Sequence, residues 1–129
     1  MSKKRILIFD DDKDILGICR VILEEKGYAV FTEPDCNDLF NKISQARPDM
    51  IVMDNKMPGV CGVDAIQNIR KNPATAGIPV VMFSANTNVA LLAREAGADH
   101  FIQKPFDISV FENLLDDISS GKKIRTQDY

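Results

Sequence analysis

The chain has 129 residues, 45% of them apolar and 27% charged, which suffices for one hydrophobic core and argues against a disordered chain. Its formal net charge of −3 gives no field strong enough to point to nucleic acid or to a membrane surface. No apolar run approaches the ~20 residues that span a bilayer, and the N-terminus lacks the long apolar stretch of a signal peptide.

The predicted elements alternate strand and helix. Arg5-Ile6-Leu7-Ile8-Phe9 is an unalternated apolar run that stops at three aspartates, as suits a strand buried on both faces of a parallel sheet. Lys3-Lys4-Arg5 runs straight into it and reads as a solvated strand entry. Ile15, Ile18, Cys19 and Ile22 recur at helical spacing, with Gly27 as the residue just past the helix end. Tyr28 to Thr32 reads as a second strand, and Leu39, Phe40 and Ile43 mark a helix that must end before Pro48.

Met50-Ile51-Val52-Met53 is a third buried strand ending on Asp54, and Lys56-Met57-Pro58-Gly59 has loop chemistry. A helix follows with Ala65, Ile66 and Ile69. Pro79 to Phe83 is a fourth strand ending on Ser84, and Leu91, Leu92 and Ala96 suggest a helix stopped by Gly97. His100 to Gln103 is a short fifth strand ending on Lys104-Pro105. Val110, Phe111, Leu114, Leu115 and Ile118 then mark a last helix that stops near Gly121. Residues 121–129 form a polar tail expected to fray. Five strand-helix units imply one α/β domain, a parallel sheet with helices on both faces.

Cys19, Cys36 and Cys61 are odd in number and lack CxxC spacing, so neither a disulfide framework nor a zinc site is expected, and a reducing cytoplasm is. His100 stands alone and reads as packed or solvated.

In a parallel sheet every strand C-terminus emerges at one edge, where ligands bind. The residues that end the strands are therefore informative as a set: Asp10, Asp11 and Asp12, then Asp54, Ser84 and Lys104. Each alone reads as a helix cap, a turn former or a solvated residue. Together they bring carboxylates, a hydroxyl and an ammonium to one crevice. Clustered carboxylates repel unless a cation joins them, and an all-oxygen donor set suits Mg²⁺. A lysine and a hydroxyl beside that cation fit a phosphoryl group.

The segments Ile6–Asp11, Ile51–Gly62, Val80–Ala85 and Lys104-Pro105-Phe106 resemble the receiver domain of two-component response regulators, the CheY-like group, over residues 4 to 120. The resemblance implies a doubly wound (βα)5 flavodoxin/CheY-like sheet of strand order 2-1-3-4-5. It implies that Asp54 takes a phosphoryl group as an acyl phosphate and that Lys104 pairs with it. Ser84 matches the switch hydroxyl and Phe101 the switch aromatic. Asp11 and Asp54 match direct Mg²⁺ ligands, Lys56 a backbone-carbonyl ligand, and Asp10 one that acts through water. Mn²⁺ is expected to substitute for Mg²⁺. Asp12 is an extra acid outside the direct ligands. Lys56 and Asn86 occupy positions that tune dephosphorylation in the family, and Lys104-Pro105 matches a bond that is typically cis.

By the same resemblance the phosphodonor is a sensor histidine kinase or a histidine phosphotransfer protein. The output is an unidentified protein docking on the face made by the fourth helix, fifth strand and fifth helix, with no direct nucleic-acid or membrane contact. The protein is expected to be a switch and not a turnover enzyme. It is expected either to stand alone or to be a receiver fragment of a larger regulator or hybrid histidine kinase. A haloacid-dehalogenase-like phosphatase with Asp10 as nucleophile is the rival, but no Gly-Thr pair follows Asp12 and Asp54 would have no task. An EF-hand fails at Ile15 and Val21, where glycine and glutamate are needed.

Overall fold

The computed structural model describes residues 3–57 and 62–121. Pro58-Gly59, Cys61 and the tail beyond Gly121 lie outside the described residues. The elements run β1 (Arg5–Phe9), α1 (Lys13–Glu25), β2 (Ala29–Glu33), α2 (Leu39–Ala46), β3 (Met50–Asp54), α3 (Gly62–Lys71), β4 (Val80–Ser84), α4 (Val89–Ala96), β5 (His100–Gln103) and α5 (Ile108–Ser119). All five strands are parallel, in the order β2-β1-β3-β4-β5.

Period-2 alternation divides each apolar strand between two cores. Leu7, Phe9, Ile51, Met53 and Met82 face α2, α3 and α4, with Ile43, Ile66, Ile69 and Ala93 packed against them. Ile6, Ile8, Val52, Val81 and Phe83 face the other way, against Leu16, Cys19 and Leu23 of α1 and Phe111, Leu114 and Leu115 of α5. Strands buried on both faces have no polar side to present. That is why their sequences read as unbroken apolar runs up to the sheet edge.

Three helices expose a large apolar residue that the sequence singles out: Ile18 in α1, Phe40 in α2 and Leu91 in α4. In α1 the buried stripe is Leu16, Cys19 and Leu23, while Ile18 is 50% exposed. Apolar residues surround this helix, so spacing alone leaves its rotation open. The start that fixes the rotation is Asp12, whose side chain accepts from the Asp14 and Ile15 N–H groups. In α4 the buried stripe is Val89, Ala93 and Ala96, and Leu91 is 52% exposed. Its packing is made by small residues that a search for large apolar ones passes over. β4 starts at Val80 and not at Pro79, since proline has no N–H for the ladder. No helix among the described residues is long and apolar enough to cross a membrane.

Tyr28 closes the edge of the α1/α5 layer. Its hydroxyl donates to Asp116 Oδ1 at 2.6 Å, and Lys26 Nζ pairs with Asp116 Oδ2 at 2.8 Å. Burial, reinforced by the Asp116 carboxylate, pushes the Tyr28 phenol from 10.0 up to about 12. A raised folded-state value means that this contribution is complete below pH 10 and is lost as pH rises towards about 12. Tyr28→Phe is expected to cost about 1 kcal/mol at neutral pH and to flatten the loss of stability across that alkaline window, as measured by urea unfolding.

Candidate functional site

The strand ends are fixed by ladder bonds that run to the last residue. Asp10 N–H donates to Glu33 O at 3.1 Å, Asn55 N–H to Phe83 O at 2.8 Å, and Lys104 N–H to Ser84 O at 2.8 Å. With the backbones pinned, the Lys104 ammonium lies between two carboxylates from different strands. It donates to Asp10 Oδ2 at 2.7 Å and to Asp54 Oδ1 at 3.0 Å. The other Asp10 oxygen accepts from Asp12 N–H at 2.9 Å, so both oxygens of this fully buried side chain are engaged.

In front of this triad opens a cavity of about 370 Å³ lined by Asp11, Asp54, Lys56, Ser84, Asn86 and Lys104, with Asn55 and Ala85 completing it. Six of the residues singled out from the sequence thus meet around one space. Asp10 lies behind them. Phe101 stands apart, partly buried on β5 against the α2/α3/α4 core. Asp12 is committed to capping α1. Ser84 Oγ accepts from Asn86 N–H at 3.0 Å, and Asn86 Oδ1 accepts in turn from Asn88 N–H at 2.8 Å.

Burial raises the Asp54 carboxyl above its usual range; the hydrogen bond and charge of Lys104 relieve only part of that, and the charges of Asp10 and Asp11 add to it. Burial alone would lower the Lys104 ammonium, but its hydrogen bonds to Asp10 and Asp54 override that and hold it above its ordinary value. One cation is therefore shared among more carboxylate than it can neutralise. One ligand oxygen each from Asp10, Asp11 and Asp54 lies within 4.8 Å of the other two. Such a set of carboxylate oxygens suits a hard divalent ion, with Asp11 and Asp54 open to it and Asp10 placed to act through water. The residues present therefore fit the hard cation that their chemistry calls for.

Two supports had no visible sequence signal. A Cβ on Gly62 would collide with the Asp54 carbonyl oxygen and approach Asn55 Cα to 2.8 Å, so glycine alone lets α3 start against the end of β3. Gly62 N–H also donates to Asn55 O at 3.0 Å. Phe83, Phe106 and Phe111 form an aromatic trio with centroids 5.0, 5.1 and 5.3 Å apart, which packs the β5–α5 turn under Lys104. The Lys104-Pro105 peptide bond is cis. Cys19 and Cys36 are buried and form no disulfide with each other.

The family model described as the response regulator receiver domain matches residues 6–116. The DNA-binding response regulator MtrA of Mycobacterium tuberculosis is 32% identical over 106 residues, covering 81% of this chain and 45% of that protein. This chain therefore spans less than half the length of that relative. The signal receiver domain of a signal transduction histidine kinase from Syntrophus aciditrophicus superposes with a TM-score of 0.82 at 29% identity, over 92% of this chain and 91% of that one. The chemotaxis protein CheY4 of Vibrio cholerae gives a TM-score of 0.78 at 26% identity, over 92% and 98% of the two chains.

Because the buried Asp54 charge is under-compensated without metal, Asp54→Asn is expected to raise the Tm of metal-free protein at neutral pH by about 2–4 °C. A raised carboxylate pKa places this penalty at high pH. The gap to wild type should therefore close as pH falls through the Asp54 folded-state value. Adding Mg²⁺ should then stabilise wild type more than the variant. Calorimetry with and without Mg²⁺ reads all three effects, and a lower Tm for metal-free Asp54→Asn contradicts them.

Proposed function

The chain belongs to the response regulator receiver domain family of two-component signalling, and we propose that Asp54 is the residue on which it accepts a phosphoryl group. The observation that carries this reading is the Lys104 ammonium bridging Asp10 and Asp54 behind a cavity that Ser84 also lines. Asp54 opens onto that cavity. Asp10, the nucleophile a haloacid-dehalogenase-like phosphatase would need, is sealed behind it with both oxygens bonded.

Phosphoryl transfer asks the protein mainly to position groups and stabilise charge. An Asp54 carboxylate oxygen attacks phosphorus in line, the O–P bond forms, and the P–N bond of a phosphohistidine breaks. The imidazole leaves with the bonding pair. Asp11, Asp54 and the Lys56 carbonyl are the groups that would hold Mg²⁺ or Mn²⁺, with Asp10 reaching it through water, and the ion when bound supplies positive charge at the transferring oxygens. Lys104 exchanges its carboxylate partners for a phosphoryl oxygen, and the Ser84 hydroxyl turns to donate to another.

Phe101, partly buried on β5, repacks into the space opened when the loop after β4 moves with Ser84. Shifting two packings from 1:99 to 99:1 takes about 5.5 kcal/mol, within reach of a few charge-assisted hydrogen bonds. The phosphodonor is a sensor histidine kinase or a histidine phosphotransfer protein, and residues 4–120 make up the signalling unit. Its output is protein docking on the α4–β5–α5 face, with no nucleic-acid or membrane contact of its own. Buried cysteines held as thiols support a cytoplasmic location.

Incubation with acetyl phosphate and Mg²⁺ should add the mass of one phosphoryl group to intact protein, and Asp54→Asn should abolish the gain. Lys104→Ala should slow it by about 10²-fold. An unchanged gain in Asp54→Asn contradicts the assignment. Lys56 lines the cavity with an exposed side chain, so Lys56→Ala should change the acyl-phosphate half-life several-fold in a decay assay, and an unaltered half-life removes that role.

A further inference from the structure

The sheet edge opposite the phosphoacceptor cavity carries a set of charges that phosphoryl chemistry does not use. Arg5 opens β1, Ala29 opens β2, and Arg47 caps the C-terminus of α2 shortly before β3 begins. With Lys3 they line a cavity of about 480 Å³. The Arg5 guanidinium is held in advance of any ligand. Its Nε donates to Ala46 O at 2.6 Å, and its central carbon lies 4.6 Å from the centroid of the Phe31 ring. Its two terminal nitrogens have no hydrogen-bond partner among the described residues, and neither do the Lys3 and Arg47 side chains. Among the described residues one carboxylate is bonded into this cluster, Asp49, whose Oδ2 accepts from Arg5 N–H at 2.7 Å. Three cations thus face one anion.

Arg47 is also the wrong residue for its backbone. It sits in the left-handed region at φ 45° and ψ 59°, directly before Pro48, where a side chain with a Cβ is strained. Glycine takes that conformation freely, and asparagine more easily than arginine. A strained arginine whose guanidinium bonds to nothing in the fold points to a role outside the fold. The same residue borders a second cavity of about 610 Å³ between α2 and the 72–78 segment. Ile43, Pro48 and Thr75 form its buried floor, Ile78 is half-buried beside them, and Phe40 stands at the rim 40% exposed. Thr75 Oγ1 is already committed to Ile69 O at 2.7 Å, so this floor offers mainly apolar surface. A basic cavity and an apolar trough therefore meet at Arg47.

We propose that this edge docks an acidic segment of a partner protein, with carboxylates on Lys3, Arg5 and Arg47 and an apolar side chain in the trough beside Phe40. Charge complementarity selects the occupant. An unbalanced cluster of cations takes an anion, and the planar fork of arginine matches a carboxylate. The adjoining trough asks for an apolar group on the same ligand, which a free inorganic anion lacks. Residues 122–125 of this chain, Lys-Lys-Ile-Arg, are themselves basic and have the wrong sign. The surface is separate from the α4–β5–α5 face and does not depend on the assignment of Asp54.

Fluorescence anisotropy on the full chain at low ionic strength, with the labelled hexapeptide Glu-Asp-Phe-Glu-Asp-Leu as probe, tests the proposal. Saturable binding is expected, about tenfold tighter than for Glu-Asp-Ser-Glu-Asp-Ser. Arg47→Gly should weaken it about tenfold and Phe40→Ala about fivefold. Arg47→Gly should also leave the thermal midpoint of the protein equal or higher, because glycine relieves the left-handed backbone. A lower midpoint for Arg47→Gly makes Arg47 a structural residue and overturns the strain argument. Equal affinity for the serine peptide, or its displacement by an equal concentration of tripolyphosphate, marks a site for charge alone and overturns the protein occupant. No binding, or binding that neither substitution weakens, overturns the proposal entirely. Self-association in sedimentation that Arg47→Gly abolishes assigns the edge to a second copy of this chain and overturns it too.

Discussion

One ammonium shared between two buried carboxylates is the interaction on which the rest of this structure depends. Lys104 can meet Asp10 and Asp54 at 2.7 and 3.0 Å only if β1, β3 and β5 end at the same sheet edge with β1 and β3 adjacent. Such burial is costly unless every polar atom is partnered. Among the described residues no buried side-chain nitrogen or oxygen lacks a partner. The turn carrying Lys104 is held by an aromatic trio from β4, the β5–α5 turn and α5, and the end of β3 is held by the close seat of Gly62. The fold is thus the scaffold that this charge arrangement requires.

The arrangement is also unfinished. Three carboxylates with one lysine leave excess negative charge, and burial, to which the neighbouring aspartates add, raises the Asp54 carboxyl. A site built this way gains from a bound cation and from a phosphoryl group that gives Lys104 a stronger anion. Switching needs a ground state that gives up its partners without collapsing, and a shared lysine with two alternative acceptors satisfies that condition.

Much of this was legible in the sequence because parallel strands buried on both faces leave an unambiguous trace. Ile6 to Phe9 and Met50 to Met53 are apolar throughout, and the first polar residue after each marks the sheet edge. That logic brings Asp11, Asp54, Ser84 and Lys104 together without reference to any relative. It failed where packing, and not pattern, decides. Ile18 and Leu91 face solvent because α1 and α4 dock through Leu16, Leu23, Ala93 and Ala96. The need for glycine at residue 62 is a steric fact about two backbones and leaves no periodic signal. Arg70 reads as an ordinary helix-end cation, although its guanidinium gathers three carbonyls from two separate segments. The three proteins compared are a DNA-binding response regulator, the receiver domain of a signal transduction histidine kinase and a chemotaxis protein.

A crystal structure with Mg²⁺ and beryllofluoride is the most direct measurement of the central claim. Beryllium bonded to an Asp54 oxygen, with Lys104 Nζ turned from its carboxylates to a fluorine and Ser84 Oγ donating to another, is the expected result. Beryllofluoride on Asp10, or a Lys104 ammonium that still bridges Asp10 and Asp54 unchanged, would contradict it.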